Sequence, residues 1–173
     1  MSTARFIALM SLIFAEAASR LIPHPPDFTP ITAIALFGGA YFAKRWLAFL
    51  VPLTSLFLSD LVLGHFAGPY VYGSFALIVC IGFLLRTRRK PLAIGTAALA
   101  SSVLFFVVAN FGVWLSGFLY PRTAAGLVAC YVAAIPFFRN MILGDGFYTV
   151  VLFGGFTLAE RFWPALHEPV TVR

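Results

Sequence analysis

Long apolar runs, separated by short breaks of basic residues, proline and glycine, dominate this sequence. Hydrophobic residues fill 61% of the 173 positions and charged residues only 10%, whereas an average soluble domain carries roughly 25% charged residues. Too few charged side chains are present to cover the folded chain in water, so lipid must contact much of its surface. We predict one all-α integral membrane domain over residues 1–173, and we exclude disorder, a coiled coil, collagen and a disulfide-stapled secreted domain.

The breaks divide the chain into segments near the length of a membrane-spanning helix, which is about 20 residues. The beginning of the chain lacks a convincing signal-peptide cleavage site, so we interpret it as the first span. The second run is only about 13 residues long, so we expect it to be tilted, buried among neighbouring helices or helped by flanking residues. In all, five spans are predicted before the last third of the chain: 5–21, 31–43, 46–63, 71–85 and 91–113.

Two basic breaks determine the expected orientation. Lys44 with Arg45, and the run 86–90, are separated by two predicted spans and therefore lie on the same side of the membrane. The positive-inside rule assigns that side to the cytoplasm. The N-terminus is then cytoplasmic, and the loops 23–30 and 64–70, which contain no Lys or Arg, face outward. Since topology accounts for the basic residues, we predict the lipid bilayer and no nucleic acid as a partner.

The last third of the chain allows two counts of spans. Residues 123–138 and 147–162 are both apolar, and Pro136 lies within the first of these runs. Counting both runs gives seven helices with the C-terminus outside. Treating the first run as a broken or re-entrant segment gives six helices with both termini inside. The residues alone leave this choice open.

Ionisable residues inside predicted spans are functional candidates, because an unpaired charge in hydrocarbon is unfavourable. Asp60 lies near the outer end of the third span and either contacts a ligand or caps a helix that ends nearby. Glu160 and Arg161 lie close to the predicted inner boundary. We interpret these two residues as interfacial anchors.

The predicted outer loops and helix ends are rich in aromatic and polar residues. Aromatic side chains at this level usually anchor a membrane protein in the headgroup region. Their clustering with acidic and amide groups also fits the walls of a pocket for a large, partly apolar ligand. The candidate substrate-binding residues are Asp27, Phe28, Asp60, His65, Tyr70, Tyr72, Asn110, Trp114 and Tyr120.

The two cysteines differ in their surroundings. Cys80 lies about midway through the fourth span, and the small residues Ala76 and Gly73 share its predicted helix face toward the outside. This face is either an open groove that leads to the thiol or an ordinary helix-packing seam. Cys130 lies in an apolar stretch and is interpreted as a packing residue.

Two glycine pairs, Gly38-Gly39 and Gly154-Gly155, lie inside apolar runs. Glycine at such positions usually lets membrane helices approach closely, and we interpret both pairs in this way. Neither pair forms a phosphate-binding loop, so we predict no nucleotide site in this chain.

Three stretches and one dipeptide together resemble a known family, the BtuM-type cobalamin transporters. These proteins are small, solitary relatives of the substrate-binding S-components of energy-coupling factor (ECF) transporters. The resemblance covers nearly the whole chain and rests on strings of residues rather than on a catalytic signature. The strings are 27–40, 110–115 and 126–138, followed by Gly144-Asp145.

The resemblance implies a bundle of six transmembrane helices in the bacterial inner membrane, with both termini cytoplasmic. It implies uptake of cobalamin, held as substrate in an outward-opening cavity under the loops after helices one, three and five. It also implies a docking surface for an ECF energising module, or none if the protein acts alone. Ala4 and Ala8 fit the alanine pattern of that docking helix.

Under this resemblance, Cys80 becomes the axial ligand of the cobalt. A thiolate is a soft ligand that can take one of the two axial positions of a corrin ring. Because electron donation from sulfur weakens the bond on the opposite face, the resemblance also suggests removal of an upper ligand such as cyanide. In that case Cys80 would be a catalytic residue as well as a metal ligand.

Three other functions stay open at this stage. The chain could be an S-component for another vitamin or a small aromatic molecule. It could be a membrane enzyme with a catalytic thiol at Cys80, which would turn over substrate without retaining it. It could also be a structural or assembly subunit, which would depend on a partner and bind no ligand.

Overall fold

The computed structural model describes residues 2–19, 22–23, 25–64, 67–87 and 89–167, and every regular element in these ranges is helical. A π-helical segment, Val150–Gly154, joins the last two long helices, and a short 3₁₀ turn, Pro164–Leu166, follows them. The α-helices are α1 (Thr3–Ser19), α2 (Ile31–Tyr41), α3 (Arg45–Leu63), α4 (Pro69–Leu84), α5 (Pro91–Ser116), α6 (Ala124–Thr149) and α7 (Gly155–Phe162).

The first five helices begin and end within a few residues of the predicted spans. The last third differs, because α6, the π-helical segment and α7 form one continuous helical stretch, Ala124–Phe162. The expected break near Pro136 is therefore wrong: this proline lies inside α6, as membrane helices tolerate. Within the described residues, three stretches are long and apolar enough to cross a membrane: Arg45–Leu63, Pro91–Ser116 and Ala124–Phe162.

The short helix α2 forms the centre of the bundle. All eleven of its residues are buried, and it packs most extensively against α4. A Cβ atom added to Gly39 would lie only 2.9 Å from the Cα atom of Gly82 on α4, and one added to Gly82 would meet the backbone of α2. Glycine at these positions lets the two backbones touch, which confirms the packing role predicted for Gly38-Gly39.

One end of the bundle, here called the basic end, contains the segments 42–44 and 85–87. Here two arginines bind the carboxyl-terminal carbonyl groups of α2, which have no partners within the helix. Arg86 donates from Nε to the carbonyl oxygen of Gly39 at 3.0 Å and from Nη2 to that of Phe42 at 2.6 Å. Arg89 donates from Nη2 to the carbonyl oxygen of Ala40 at 2.9 Å. The basic run that predicts the orientation of the chain therefore also supplies hydrogen-bond donors to the end of its central helix.

The two ends of the described chain meet at this basic end. Ser2 Oγ donates to the carbonyl oxygen of Ala165 at 3.0 Å. The fully buried side chain of Arg5 forms an ion pair with Glu160 and donates to the carbonyl oxygen of Leu166. The interpretation of Glu160 as a simple interfacial anchor is wrong, because its carboxylate balances a buried guanidinium.

Candidate functional site

A small cavity of about 110 Å³ lies at the opposite end of the bundle, here called the loop end, which contains the segments 25–30 and 67–68. Two of its lining residues, Asp27 and Asp60, were predicted as binding residues from the sequence. The loop cavity also has lining residues that sequence reasoning missed, because most of them lie on helix faces whose direction the sequence does not reveal. These are Thr29, Ile31, Thr32, Leu56, Ala67, Val71, Phe75, Phe105 and Met141.

Asp60 forms hydrogen bonds that hold the segments of the loop end together. Its side chain is fully buried, and Oδ2 accepts hydrogen bonds from the backbone N–H of Ala67 at 3.0 Å and from the hydroxyl of Tyr72 at 3.1 Å. Gly64, in the left-handed conformation with φ of 72°, ends α3 and lets the chain reverse toward α4. Asp60 therefore connects the end of α3 to the beginning of α4.

The loop that contains Asp27 and Phe28 packs against α6 at the loop end. Asp27 has a positive φ of 60°, which aspartate tolerates better than most residues. The ring of Phe28 lies 5.6 Å from that of Tyr148 and 6.0 Å from that of Phe147 on α6. A Cβ atom at Gly144 would lie 3.0 Å from the Cα atom of Phe28, so this glycine admits the loop against α6.

The remaining aromatic and amide candidates do not line the loop cavity and instead lie on α5, against it or in the connection that follows it. The ring of Tyr70 packs on Gly112 of α5. Asn110 donates from Nδ2 to the carbonyl oxygen of Phe106 at 2.8 Å. Trp114 Nε1 lies within 3.2 Å of two carbonyl oxygens in the connection to α6, where Tyr120 is also found. His65 lies outside the described residues.

The two thiols have opposite environments. Cys80 is exposed and shares an exposed face of α4 with Gly73, Leu77 and Leu84. Cys130 is buried, and its Sγ donates to the carbonyl oxygen of Asn110 at 3.5 Å. Cys80 lines neither the loop cavity nor the larger cavity between α5 and α6.

A much larger cavity, here called the slot, separates the first half of α5 from the second half of α6 and from α7. Its volume is about 680 Å³, within the range of about 300–1,000 Å³ for small-molecule sites. Arg89 and Arg161 line it at the basic end, and Asp145 lines it toward the middle of α6. Its other lining residues are Pro91, Ile94, Gly95, Ala98, Leu99, Ser102, Ile142, Gly146, Thr149, Val150, Phe153, Gly154, Thr157 and Leu158.

Asp145 is the polar centre of this region. Only 2% of the residue is exposed. Its Oδ2 atom accepts a hydrogen bond from Ser102 Oγ of α5 at 2.6 Å, and the hydroxyl of Thr32 of α2 lies near the same carboxyl group. An acidic residue between two glycines in an apolar run was a usable sequence signal, but Asp145 entered the prediction only as part of the resemblance.

Several glycines line the slot, and no neighbouring atoms occupy the place where their side chains would lie. A Cβ atom added to Gly95, Gly146 or Gly154 would have no neighbouring heavy atom within 4 Å. Glycine is therefore not required by helix packing at these positions, and the same holds for Gly155. The packing role predicted for Gly154-Gly155 is wrong. The π-helical segment that includes Gly154 is of a kind often found at functional sites.

These features define the class of the protein: an all-helical chain, with helices long and apolar enough to cross a membrane, that forms two cavities along its central helices. The chain belongs to the family described as "Family of unknown function (DUF6580)", whose profile matches residues 1–166. No curated protein and no solved structure matches the chain significantly.

Proposed function

We propose that this protein takes up cobalamin across the bacterial inner membrane, with the loop end as the outward-facing binding side. The observation that supports this best is the convergence of Asp27, Asp60 and Tyr72 at one end of the bundle, away from the basic loops. Polar groups from the loop before α2, from the end of α3 and from the beginning of α4 thus meet near the beginning of the central helix. This is the arrangement expected of an S-component that receives its ligand from outside.

The proposal includes six membrane crossings with both termini in the cytoplasm. The hydrogen bond between Ser2 and Ala165 supports it, because the described chain begins and ends at the basic end. The continuity of Ala124–Phe162 supplies the sixth crossing. A reporter fused after Arg173 should read as cytoplasmic, and a periplasmic reading would overturn the six-crossing topology.

Cobalamin is far too large for a cavity of about 110 Å³. Ligand binding therefore requires the segments 25–30 and 67–68 to separate, and the hydrogen bonds of Asp60 to Ala67 and Tyr72 must break or rearrange. Asp60→Asn should weaken this connection and reduce cobalamin retention. Asn110→Ala, on α5 and outside the lining of the loop cavity, serves as a control, where we expect a smaller reduction.

Cobalt ligation by Cys80 is a separate part of the proposal. Of the two thiols, only that of Cys80 is exposed, since Cys130 is 2% exposed. Because Cys80 lines neither cavity, ligation requires the bound cobalamin to extend from the loop end to the exposed face of α4. In ligand removal, the Cys80 thiolate would donate an electron pair to cobalt, and cyanide on the opposite face would leave with the pair of the broken Co–C bond. The oxidation state of cobalt does not change in this exchange.

An absorption spectrum of the protein purified after growth with cobalamin tests both parts. The proposal expects bound cobalamin in stoichiometric amount, with a spectrum that changes in Cys80→Ser and not in the matched variant Cys130→Ser. An unchanged spectrum in Cys80→Ser would remove the ligation while leaving uptake in place. A colourless protein would overturn cobalamin as the ligand and favour another vitamin, and turnover without retention would favour a thiol enzyme.

Energy supply by an ECF module is the last part of the proposal. Ala4 is exposed and Ala8 is half-buried on α1, so a partner helix can reach this face. Ala4→Leu together with Ala8→Leu should reduce co-purification with an ECF module. Uptake that persists in vesicles containing only this chain would show that the module is not required.

A further inference from the structure

We infer that the slot is a water-filled half-channel leading from the basic end to Asp145, and that Asp145 is a proton-binding site between the slot and the loop cavity. Thr32 lines the loop cavity and lies near Asp145, which lines the slot. Met141 and Ile142, neighbours on α6, also line opposite cavities. The two cavities are therefore back to back, and a thin layer of side chains that includes Thr32 and Asp145 separates them.

The polar face of α6 and α7 indicates water in the slot rather than a lipid chain. Asp145, Thr149, Thr157 and Arg161 all line the slot, so the continuous helical stretch of α6, the π-helical segment and α7 presents these four residues to one cavity. Thr157 satisfies its hydroxyl by donating to the carbonyl oxygen of Phe153. A membrane helix that contacts only acyl chains has no reason to direct both a buried carboxyl group, that of Asp145, and a hydroxyl without a partner, that of Thr149, to one side. Such an arrangement is typical of a face that lines an aqueous pathway.

Thr149 provides an independent observation. Its residue is 5% exposed, and its Oγ1 atom has no hydrogen-bond partner among the described residues. A buried hydroxyl without a partner is unfavourable by about 1–3 kcal/mol, and a water molecule in a polar cavity of sufficient size removes that cost. Gly95, Gly146 and Gly154 leave the space that such water requires.

The surroundings of Asp145 suit the binding and release of a proton. Ser102 faces it from α5 and Thr32 from α2, and both are neutral hydroxyl groups. The other charged residues that line the two cavities are Asp27 and Asp60 in the loop cavity and Arg89 and Arg161 in the slot. Among the described residues Asp145 forms no ion pair, so a proton, rather than a contacting cation, would neutralise its carboxylate.

Proton transfer through Asp145 has two steps. A hydronium ion on the loop side gives its proton to a carboxylate oxygen of Asp145 and leaves as water. The resulting carboxyl group later gives this proton to a water molecule in the slot, which becomes hydronium, so that one proton crosses the layer and the carboxylate is restored. The use of this proton to drive uptake rests on the proposed function, whereas the water-filled slot and the proton site do not.

Thiol accessibility tests the water in the slot. In a Cys80→Ser background, Thr149→Cys should react with a water-soluble, membrane-impermeant methanethiosulfonate reagent applied at the basic end, because this reagent needs a hydrated thiolate. Leu143→Cys, also on α6 but 56% exposed on its surface away from the slot, should not react. Labelling of Thr149→Cys only by a lipid-soluble maleimide would show that lipid fills the slot and would overturn the inference.

Infrared difference spectroscopy of the protein in lipid vesicles tests the proton site without any ligand. A protonated-carboxyl band should appear and disappear as the pH changes, and Asp145→Asn should lack it. Gly146→Leu should slow proton exchange from the slot side, whereas Gly155→Leu, a matched change at a glycine that does not line the slot, should not. A wild-type band that does not titrate, or that persists in Asp145→Asn, would overturn the assignment.

These measurements separate the two hypotheses. A titrating Asp145 in a protein that retains no cobalamin would support the proton site and reject the proposed ligand. Cobalamin retention by a protein whose slot contains no water would support the proposed ligand and reject the proton site. If Asp145→Asn does not fold, the wild-type titration and the Thr149→Cys reaction still decide the inference.

Discussion

The crossing of α2 with α4 and the slot between α5 and α6 both contain glycines, and they use them in opposite ways. At the crossing, Gly39 and Gly82 bring two backbones into contact, and a Cβ atom on either would overlap the other helix. Along the slot, Gly95 and Gly146 face open space. The same residue type therefore closes one interface and keeps another open.

This difference shows why glycine in a membrane helix has no single meaning. Close approach of helices explains glycine only where a neighbouring backbone occupies the place of its side chain. Where no backbone occupies that place, the absence of the side chain leaves a cavity, and the polar groups facing the cavity indicate what fills it. Gly39→Val, with the largest expected effect, and Gly146→Ala, with the smallest, test this contrast directly. Glu160→Gln and Arg86→Gln lie between them and test the charged contacts that hold the tight interface at the basic end.

Gly39→Val should prevent stable folding or lower the free energy of unfolding by more than about 4 kcal/mol, because the new side chain would overlap the backbone of α4. Thermal unfolding in detergent measures this. Gly95→Val, at an open position, is the matched control and should unfold within a few degrees of the wild type. Similar losses in the two variants would break the contrast between the interfaces.

Glu160→Gln should lower the free energy of unfolding by about 3 kcal/mol, because it leaves the buried guanidinium of Arg5 without a counter-charge at the base of α7. The same thermal assay applies. Arg161→Gln changes an exposed neighbour and should have little effect on unfolding. Equal stability of Glu160→Gln and the wild type would mean that the pair does not hold α1 to α7.

Arg86→Gln should lower the free energy of unfolding by about 2 kcal/mol, because two charge-assisted hydrogen bonds to the end of α2, beside the tight crossing, are lost. Hydrogen exchange of the α2 amides should also accelerate. Arg45→Gln, at an exposed position of the same end, should be close to neutral. If Arg86→Gln is as stable as the wild type, the stability of α2 depends on its packing alone.

Gly146→Ala should have the smallest effect and the opposite sign. Because the position is helical and open, alanine should raise the free energy of unfolding by about 0.5–1 kcal/mol through its better helix propensity. A matched measurement on Gly82→Ala should show a clear loss. Destabilisation by Gly146→Ala would mean that the slot closes against this glycine.

Much of the fold could be predicted from the sequence, because helix length in a membrane follows from runs of apolar residues. The bounds of α3 and α5 were predicted within three residues. The exception was the region around Pro136, where proline and a flanking arginine suggested a break. Proline removes one hydrogen bond of a membrane helix without ending it when the remaining turns stay intact, and a sequence pattern cannot show which outcome applies.

The candidate site could be predicted only in part. Asp27 was found as an acidic residue in a predicted outer loop, and Asp60 as one near the outer end of a predicted span. Asn110 and Trp114 were also predicted, but the side chain of Asn110 bonds within α5 and that of Trp114 contacts the connection to α6. The slot was missed because its walls are mainly apolar side chains and glycines, which look the same in a sequence whether they face lipid, another helix or a cavity.

The sequence by itself determined that the chain is helical and apolar, where most helices begin and end, and which end carries the basic loops. These properties depend on composition and on local order along the chain. Tertiary structure alone decided that Arg86 and Arg89 complete α2, that Arg5 meets Glu160, and that Asp145 lies between two cavities. Each of these contacts joins residues far apart in sequence, so it exists only once the helices have packed.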